Sequence, residues 1–598
     1  MKHVIILFTL GIMAFFCLPN QAAPINVSYT IKTDTGRTHI SKYIYGSNWS
    51  DNPLYTVQRN GGNRCTAYNW ENNWSNAGSD WYFENDQMFD PTETPGLGIT
   101  KHIDLFNAQS QESIVTLQLA GYVSAPIFAM DLNSQPAPSM YFYPIQFAKG
   151  APFCDPPGNP DVCDGVVYMD EFVNFLVSRY GPAGSPGGVK FYSLDNEVDC
   201  WQATHFEVHP AKPLSKEVRD KGVACATATK NVDPNAQILG PDLMGFSGYI
   251  DMGGASDWLS VKGSRPWYIS YYLDEMRIAS NAAGRRLLDV LDVHWYPEAQ
   301  DGAGHRILDG SINTTQMYNA RMQAPRTLWD SGYVYPNNTY PNGEVSWINQ
   351  WYFAQYLPIL TRFKADIQNY YPDTNVAITE YSYGPETHWS TGIATTDFLG
   401  ICGKYGVYIT NYWGQGPYVD AAIKMYRNYD GFHSTYGDTN VPATMSDKVN
   451  SSVYASINDS NNFPLHIIVL NKNQDNAING TFTITSSHSY SSGRVFAFDA
   501  NSYNITEITP INNITGNSFT YTIPKTTVCH IVLDGPSCQL IYDLTGDCRV
   551  NKLDLDILAN QWLGGDCSVD PNCADFNGNL NVDFTDFSLL SQEWRINE

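Results

Sequence analysis

Between about residues 50 and 425, short unbroken apolar runs alternate with longer stretches of helical periodicity, and this alternation restricts the possible folds most tightly. The apolar runs are Ser113–Gln118, Val189–Leu194, Gln237–Gly240, Val290–His294, Asn375–Thr379 and Tyr408–Thr410. Helical periodicity marks Met169–Tyr180, Ser215–Lys230, Trp267–Ala283 and Trp347–Gln368. Strands that do not alternate apolar with polar residues are covered on both faces, which means a parallel sheet flanked by helices. Roughly eight such units fit the available length, so the pattern predicts an α/β fold with a (β/α)8 barrel over 48–425. A doubly wound open sheet is the alternative, but no glycine-rich phosphate loop follows the first strand.

Beyond Tyr426 the texture changes. Val453–Ile457, Leu465–Leu470, Gly480–Thr485, Gly493–Asp499 and Phe519–Ile523 are short runs separated by Asn, Ser and Gly clusters, which predicts an antiparallel β-sandwich over 426–536. Residues 24–47 contain an alternating stretch, Ile25–Thr33, expected to lend a strand to that sandwich.

The chain opens with Met1-Lys2-His3 and an apolar run, Val4–Phe16, too short to span a membrane. Small residues follow, so 1–23 reads as a secretory signal and the protein is expected to be secreted, without a membrane span. With Lys and Arg at 35 against 60 Asp and Glu, the net charge of −25 disfavours nucleic acid and anionic membranes as partners. Outside the cell disulfides are permitted. Cys154 and Cys163 flank a turn-rich loop and are expected to pair, and the five cysteines from Cys529 to Cys573 are expected to staple the C-terminal region.

Residues 539–598 contain a repeat. Asp543, Thr545, Asp547, Asn551 and Asp554 recur 32 positions later as Asp575, Asn577, Asn579, Asp583 and Asp586. Oxygen-bearing side chains at loop positions 1, 3, 5, 9 and 12, followed by a helix, suit calcium. The alternative is a pair of Asp/Asn-capped helices without metal. The segment resembles a dockerin-type module, which implies structural calcium and a cohesin-like or cell-surface docking partner. It departs from that pattern at loop position 6, where Cys548 and Leu580 replace the usual glycine.

Two glutamates close apolar strands: Glu197 in Leu194-Asp-Asn-Glu, and Glu380 in Ile378-Thr-Glu-Tyr. In a barrel the C-terminal strand ends converge on one mouth. A protonated and an ionised carboxyl facing each other there cleave a glycosidic bond, with retention if they are about 5–5.5 Å apart. His294 and Tyr296 end the strand between them, and Trp413 ends the last one. Arg64, Asn69, Trp70 and Trp74 form an Arg/Asn/Trp cluster after a Gly-Gly turn, the pattern of a sugar-binding edge. Trp347 and Trp351, four apart on a predicted helix, share a face that serves either the cleft or the core. Asn196, beside the first glutamate, completes the expected binding set. His205 and His209 have i, i+4 spacing but lack the glutamate of a zinc-protease motif, so loop packing or substrate contact is expected.

Arg59-Asn-Gly-Gly-Asn-Arg64, Tyr68-Asn-Trp-Glu-Asn-Asn73, Tyr168–Val177, Leu194–Glu197, Asp292-Val-His294 and Ile378–Tyr381 together resemble glycoside hydrolase family 44. The resemblance implies a barrel with a β-sandwich built from both chain ends. It also implies retaining endo-β-1,4-glucanase activity, often on xyloglucan, with no cofactor for the chemistry. Carried over by motif, Glu197 is the acid/base and Glu380 the nucleophile. Members of that family can also hold calcium in the barrel, for which Glu71, Asp161 and Asp164 are candidates here, the alternative being solvated loop acids. Val198-Asp199-Cys200 stands where the family tends to have Pro-Ala-Leu. The readings left open are another retaining barrel glycosidase, acting on xylan or mannan, and a non-catalytic glycan-binding protein.

Overall fold

The computed structural model describes residues 23–153, 165–333, 345–346, 348, 356–458, 461–535, 542–545, 550, 552–562, 567 and 573–594. Eight parallel strands close into a barrel in chain order. They are β1 (Gly46–Asn48), β2 (Val57–Asn60), β3 (Glu112–Leu117), β4 (Phe191–Leu194), β5 (Gln237–Leu243), β6 (Val290–Trp295), β7 (Asn375–Tyr381) and β8 (Ile409–Tyr412). β1 pairs with β8 through Gly46–Asn411, which seals the ring. Sequence patterning misses β1 and β2 because they are short and their residues are largely polar, Gly-Ser-Asn and Val-Gln-Arg-Asn. The ring therefore starts at Gly46 rather than 48, and the last barrel helix, Pro417–Arg427, runs past the expected limit of 425.

The barrel interior is layered. At its N-terminal end Val57, Ile114, Phe191, Leu239, Val290, Ala377 and Ile409 meet beneath Tyr43 in a dry plug. Above that plug the inward residues become polar or charged: Arg59, Ser193, Asp242, Asp292 and Thr379, all buried. An apolar floor under a polar ceiling puts the chemistry at the C-terminal strand ends. Outside the ring, the helix Met169–Tyr180 matches expectation to the residue, and Ser215–Val232 and Tyr268–Ala283 nearly so. Of the expected helix over 347–368, a helix Ile359–Tyr370 is described, while 347 and 349–355 lie outside the described residues. Pro358 cannot donate to a preceding turn and restricts Leu357, so the helix begins there.

The sandwich consists of two sheets. One orders Ala443–Met445, Ile25–Lys32, Ile478–Thr485 and Ser518–Ile523; the other has seven strands, including Ser451–Asn458, Asn461–Asn471, Thr527–Asp534, Ser492–Asp499 and Ser502–Ile511. The N-terminal strand runs parallel to Ile478–Thr485, in register from Ile25 opposite Ile478 to Lys32 opposite Thr485. Its alternating burial puts Val27, Tyr29 and Ile31 into the sandwich core.

Cys529 departs from expectation. It is a buried free thiol on the sandwich strand Thr527–Asp534, because the inward alternation of that strand carries it into the core rather than towards the C-terminal repeat. Among the described residues a disulfide joins Cys567 and Cys573. The expected Cys154–Cys163 pair and the 1–22 leader lie outside the described residues. In the repeat, the helices Lys552–Asn560 and Phe584–Glu593 pack around Val550, Leu558, Ala574, Val582 and Leu590. Among the described residues, no helix is long and apolar enough to cross a membrane.

Candidate active site

Backbone turns set the first carboxyl. Asp195 and Glu197, just past β4, both have positive φ, +68° and +45°, in a region that costs non-glycine residues of order 1–3 kcal/mol each. Asp195 holds that turn in place. Its Oδ1 accepts from Thr66 Oγ1 at 2.6 Å and from Asn196 N, and its Oδ2 accepts from Ala120 N at 3.1 Å. The turn is thereby tied to the end of β3 and to the helix Asn63–Thr66. Glu197 is left partly exposed while Asn196 turns inward.

Register shifts set the rest. One interrupts the β5–β6 pairing between Pro241 and Leu243, and another the β6–β7 pairing beyond Val293. Bulges re-aim side chains at strand ends. Here Asp242 turns into the barrel, and His294 comes opposite Glu380.

Arg59, on β2, is fully buried and joins these groups. Its Nη1 donates to Glu380 Oε1 at 2.8 Å and to Asn48 Oδ1 at 3.2 Å; its Nη2 donates to Asn196 Oδ1 at 2.7 Å and to Asp242 Oδ2 at 2.9 Å. The imidazole of His294 lies among three carboxyls: Nε2 is 2.6 Å from Asp242 Oδ1, and Nδ1 is 3.1 Å from Glu197 Oε1 and 3.4 Å from Glu380 Oε2. The Tyr296 hydroxyl donates to Glu380 Oε2 at 2.9 Å. One oxygen from each of Glu197 and Glu380 and a ring nitrogen of His294 all lie within 4.8 Å of one another.

Glycines keep this approach open. A Cβ on Gly61 would fall 2.3 Å from the Arg59 guanidinium, and one on Gly62 (φ +88°) would fall 2.6 Å from the Trp413 ring. The Gly-Gly turn is thus required by a buried cation on one side and an indole on the other.

Electrostatics follow from burial and pairing. Burial pushes the Glu380 carboxyl above the usual carboxylate range, against the pull of His294 and Arg59. Burial works against protonated His294, but Glu380 and Asp242 outweigh it and raise its pKa well above the ordinary value. Asp242 is driven far down, burial being overcome by Arg59 and His294. Asp292 goes the other way, raised by burial and by the charge of Asp242. Two cations, Arg59 and His294, stand beside Asp242 and the Glu380 carboxyl in a site shielded from water. A carboxylate with donors on both oxygens, as Glu380 has, is held rigid and can act as a nucleophile.

From the mouth a cleft of about 980 Å³ extends past Trp413, Trp49, Trp81, Phe89, Met88 and Arg64. Arg64 is held on the wall by a bidentate pair with Asp86, at 2.5 and 2.9 Å. Trp413 is 38% exposed and Trp81 58%, so both offer ring faces to a ligand. The distance of this aromatic wall from Glu380 in sequence hides it: Trp49 and Trp81 carry no signal beyond being tryptophans in loops.

Several expected binding residues do not reach the cleft. Trp70 is fully buried, stacked on Phe172 at 5.2 Å, because its ring completes the core over the helix Met169–Tyr180. Asn69 is also buried, donating to Ser124 O and accepting from Glu71 N, so it braces a turn. Trp74 is half-buried and lies outside the cleft lining, its carbonyl accepting from Asn69 N. Asn196 serves Arg59 and the Gly62 amide, which also donates to its Oδ1 at 3.1 Å. Trp347, Trp351, Asp161 and Asp164 lie outside the described residues. Glu71 is buried in the Asn69–Asn73 turn. His205 pairs with Glu207 at 2.7 Å and His209 with Glu217 at 2.9 Å, which is loop packing.

In the C-terminal repeat Asp575 Oδ1 accepts from Gly578 N at 2.8 Å, and Asp586 Oδ1 accepts from Phe576 N at 2.7 Å. Asp583 caps the second helix in a reciprocal box with Asp586. The first loop repeats part of this, with Thr545 N donating to Asp554 Oδ1 at 2.9 Å. Asp543 accepts from the Thr545 hydroxyl, and Asn577 Oδ1 from Asn579 N. Asp547 and Asn551 lie outside the described residues. The donor set, carboxylate and amide oxygens spaced along one short loop, fits a calcium ion chemically.

A family model for glycoside hydrolase family 44 matches residues 74–299, and one for the dockerin type I domain matches 541–593. Endoglucanase A of Paenibacillus lautus is 47% identical over 532 residues, covering 87% of this chain and 74% of that protein. Beta-mannanase/endoglucanase A of Caldicellulosiruptor saccharolyticus is 45% identical over 511 residues, covering 83% of this chain and 38% of that protein. The solved Paenibacillus polymyxa family 44 xyloglucanase with xyloglucan superposes with a TM-score of 0.81 at 46% identity, covering 86% of this chain and all of that one. With the barrel, the two strand-end glutamates and the C-terminal repeat in hand, the chain belongs to glycoside hydrolase family 44 and carries a dockerin type I domain.

Proposed function

We propose that this glycoside hydrolase is an exported, retaining endo-β-1,4-glucanase that acts on xyloglucan or a cellulose-like glucan. The observation that carries the reading is the approach of the Glu197 and Glu380 carboxyls to within 4.8 Å at the barrel mouth. That separation suits double displacement and leaves too little room for a water between carboxyl and sugar, as inversion would need.

Glu197 starts the cycle protonated and donates to the glycosidic oxygen as the bond breaks. Glu380 attacks the anomeric carbon and forms a glycosyl-enzyme, its orientation fixed by Arg59 and Tyr296. Glu197, now a carboxylate, takes a proton from water as that water attacks the anomeric carbon, and Glu380 leaves. Protonated His294, hydrogen-bonded to Asp242, lies between the two carboxyls and damps the charge that shifts from one to the other. Trp413, Trp49 and Trp81 line an open groove, which favours binding an internal stretch of a chain over capture of its end.

Substrate preference draws on the relatives: a family 44 structure contains xyloglucan, and one relative is named a mannanase as well as an endoglucanase. For the repeat, the reading is calcium held by Asp543, Thr545, Asp554, Asp575, Asn577, Asn579, Asp583 and Asp586, and docking to a cohesin-like partner outside the cell. Parallel digests of xyloglucan, carboxymethyl cellulose, xylan and mannan, with the anomer of the first product followed by NMR, test the whole reading. Release of β-anomer from a glucan that disappears in Glu380→Ala is the expected result. α-Anomer, or unchanged cleavage by that variant, overturns it.

A further inference from the structure

A second pocket, sharing no lining residue with the cleft, lies where the C-terminal end of the helix Pro417–Arg427 meets the sandwich edge strand Ser502–Ile511. Its volume is about 400 Å³, within the ~300–1,000 Å³ typical of small-ligand pockets. The helix starts just after β8, on the mouth side, and ends beside this pocket. Eleven residues at 1.5 Å each separate the two places by roughly 16 Å along the helix axis.

Two aromatic rings stand at its rim, Phe432 at 85% exposure and Tyr503 at 47%. Leaving such area in water is unfavourable, so a phenylalanine held out by a defined turn calls for a reason. That turn is well built. Asp430 Oδ1 accepts from Phe432 N at 2.8 Å and Ser434 N at 3.3 Å, and Asn428 Oδ1 accepts from His433 N at 2.7 Å. His433 sits at φ +64°, which a non-glycine residue adopts only when its surroundings impose it. Tyr503 is braced edge-on against Tyr418, with ring centroids 5.7 Å apart. Beneath the rim Tyr429 and Phe496 form an apolar floor.

The charges of the pocket indicate the ligand. Arg494 and Glu507 neutralise each other in a bidentate pair at 3.0 and 2.9 Å. Lys424 and Asp430 add one charge of each sign. Nothing in the lining selects a charged ligand, while ring faces beside the amides of Asn428 and Asn504 suit a flat molecule with apolar faces and hydroxyl edges. We propose that this pocket is an auxiliary binding site for a β-1,4-glucan segment, separate from the catalytic cleft. The inference rests on the glucanase reading for the identity of the sugar. It gives a polymer two anchors on one enzyme, at the two ends of the last barrel helix.

Titration calorimetry with cellohexaose on full-length Glu380→Ala protein tests it. Two molecules bound per chain, falling to one in Glu380→Ala/Phe432→Ala/Tyr503→Ala, is the expected result. One in both, or two in both, overturns the proposal. Both substitutions are at the surface, so a companion Phe432→Ala/Tyr503→Ala enzyme with Glu380 intact is expected to hydrolyse cellohexaose at an unchanged rate. A loss of that rate would merge the pocket with the cleft and also overturn the proposal. The glucanase reading fails separately, if Glu380→Ala still cleaves glucan.

Discussion

The barrel mouth and the C-terminal repeat both gather carboxylates, and they hold them in opposite ways. At the mouth Asp242 and Glu380 are buried, and the protein supplies the countercharge itself through Arg59 and His294. In the repeat Asp575 and Asp583 are partly exposed and Asp554 and Asp586 buried, and they accept from backbone amides and small polar side chains. At the mouth Asp242 and Glu380 are buried close to one another, where repulsion at low dielectric calls for a built-in countercharge. The partly exposed loops of the repeat keep part of their charge in water and can take a cation from solution. The first arrangement gives a preorganised catalytic site. The second gives a module whose order depends on what the medium provides.

The largest expected effect is on the chemistry. Glu197→Gln keeps size and hydrogen bonding but cannot cycle a proton, so kcat on xyloglucan should fall by about 10²–10⁴-fold with an unchanged melting temperature. A drop of less than about tenfold would break the assignment of roles within the mouth.

Removal of the internal cation comes next. Arg59→Met strands Asp242 and Glu380, and urea denaturation should show a loss of roughly 3–5 kcal/mol. Pairing it with Asp242→Asn should recover part of that loss. Strict additivity of the two would show that the charges are not coupled.

The external cation should matter to the repeat alone. At a calcium concentration a hundred times the dissociation constant, binding adds about 2.7 kcal/mol to the module. Chelator should therefore lower a separate, small calorimetric transition and leave glucan hydrolysis intact, and Asp586→Ala should abolish the calcium response. A chelator-sensitive barrel with an indifferent repeat would reverse the comparison.

The effect that is smallest at neutral pH concerns a third solution, at the seam between sandwich and barrel. His466 and His530 are buried together, with no carboxylate beside them among the described residues. Nδ1 of His466 lies 3.0 Å from Nε2 of His530, whose other nitrogen faces Met425 O. Burial pushes His466 down to about 3 and His530 well below its ordinary value. The unfolded chain takes up protons near pH 6.5 and the folded chain resists them. Stability is therefore full above pH 6.5 and drains away as pH falls towards 3, at up to about 1.4 kcal/mol per pH unit for each proton. His294 has the opposite sign: its folded value is raised, so its contribution is full below pH 6.5 and is lost on the alkaline side. His466→Gln should flatten the acid limb of a stability-versus-pH curve without moving the alkaline one.

Periodicity alone makes much of the architecture visible. Apolar runs such as Val290–His294 must be buried on both faces, and the helix Met169–Tyr180 has one apolar side, so a covered parallel sheet follows from local chemistry. The repeat in the last 60 residues is equally plain, as oxygen-bearing side chains at a fixed offset need no fold to be recognised. The two glutamates are legible because a carboxyl that closes an apolar strand is rare without a purpose.

What sequence could not decide is which polar residues face each other. Arg59, Asp242 and Asp195 look like ordinary charges in the chain; only closure of the ring brings β2, β5 and β7 round one guanidinium, and only the bulge at Asp242 turns its side chain inward. Trp70 and Trp413 have the same ring and opposite fates, one sealed under a helix and the other facing the groove. A tryptophan's contribution depends on the neighbours it excludes from water, and those come from distant parts of the chain. Local pattern determined the elements and the reacting carboxyls, and three-dimensional closure determined the countercharges and the surfaces, because burial and Coulomb interactions act through space rather than along the backbone.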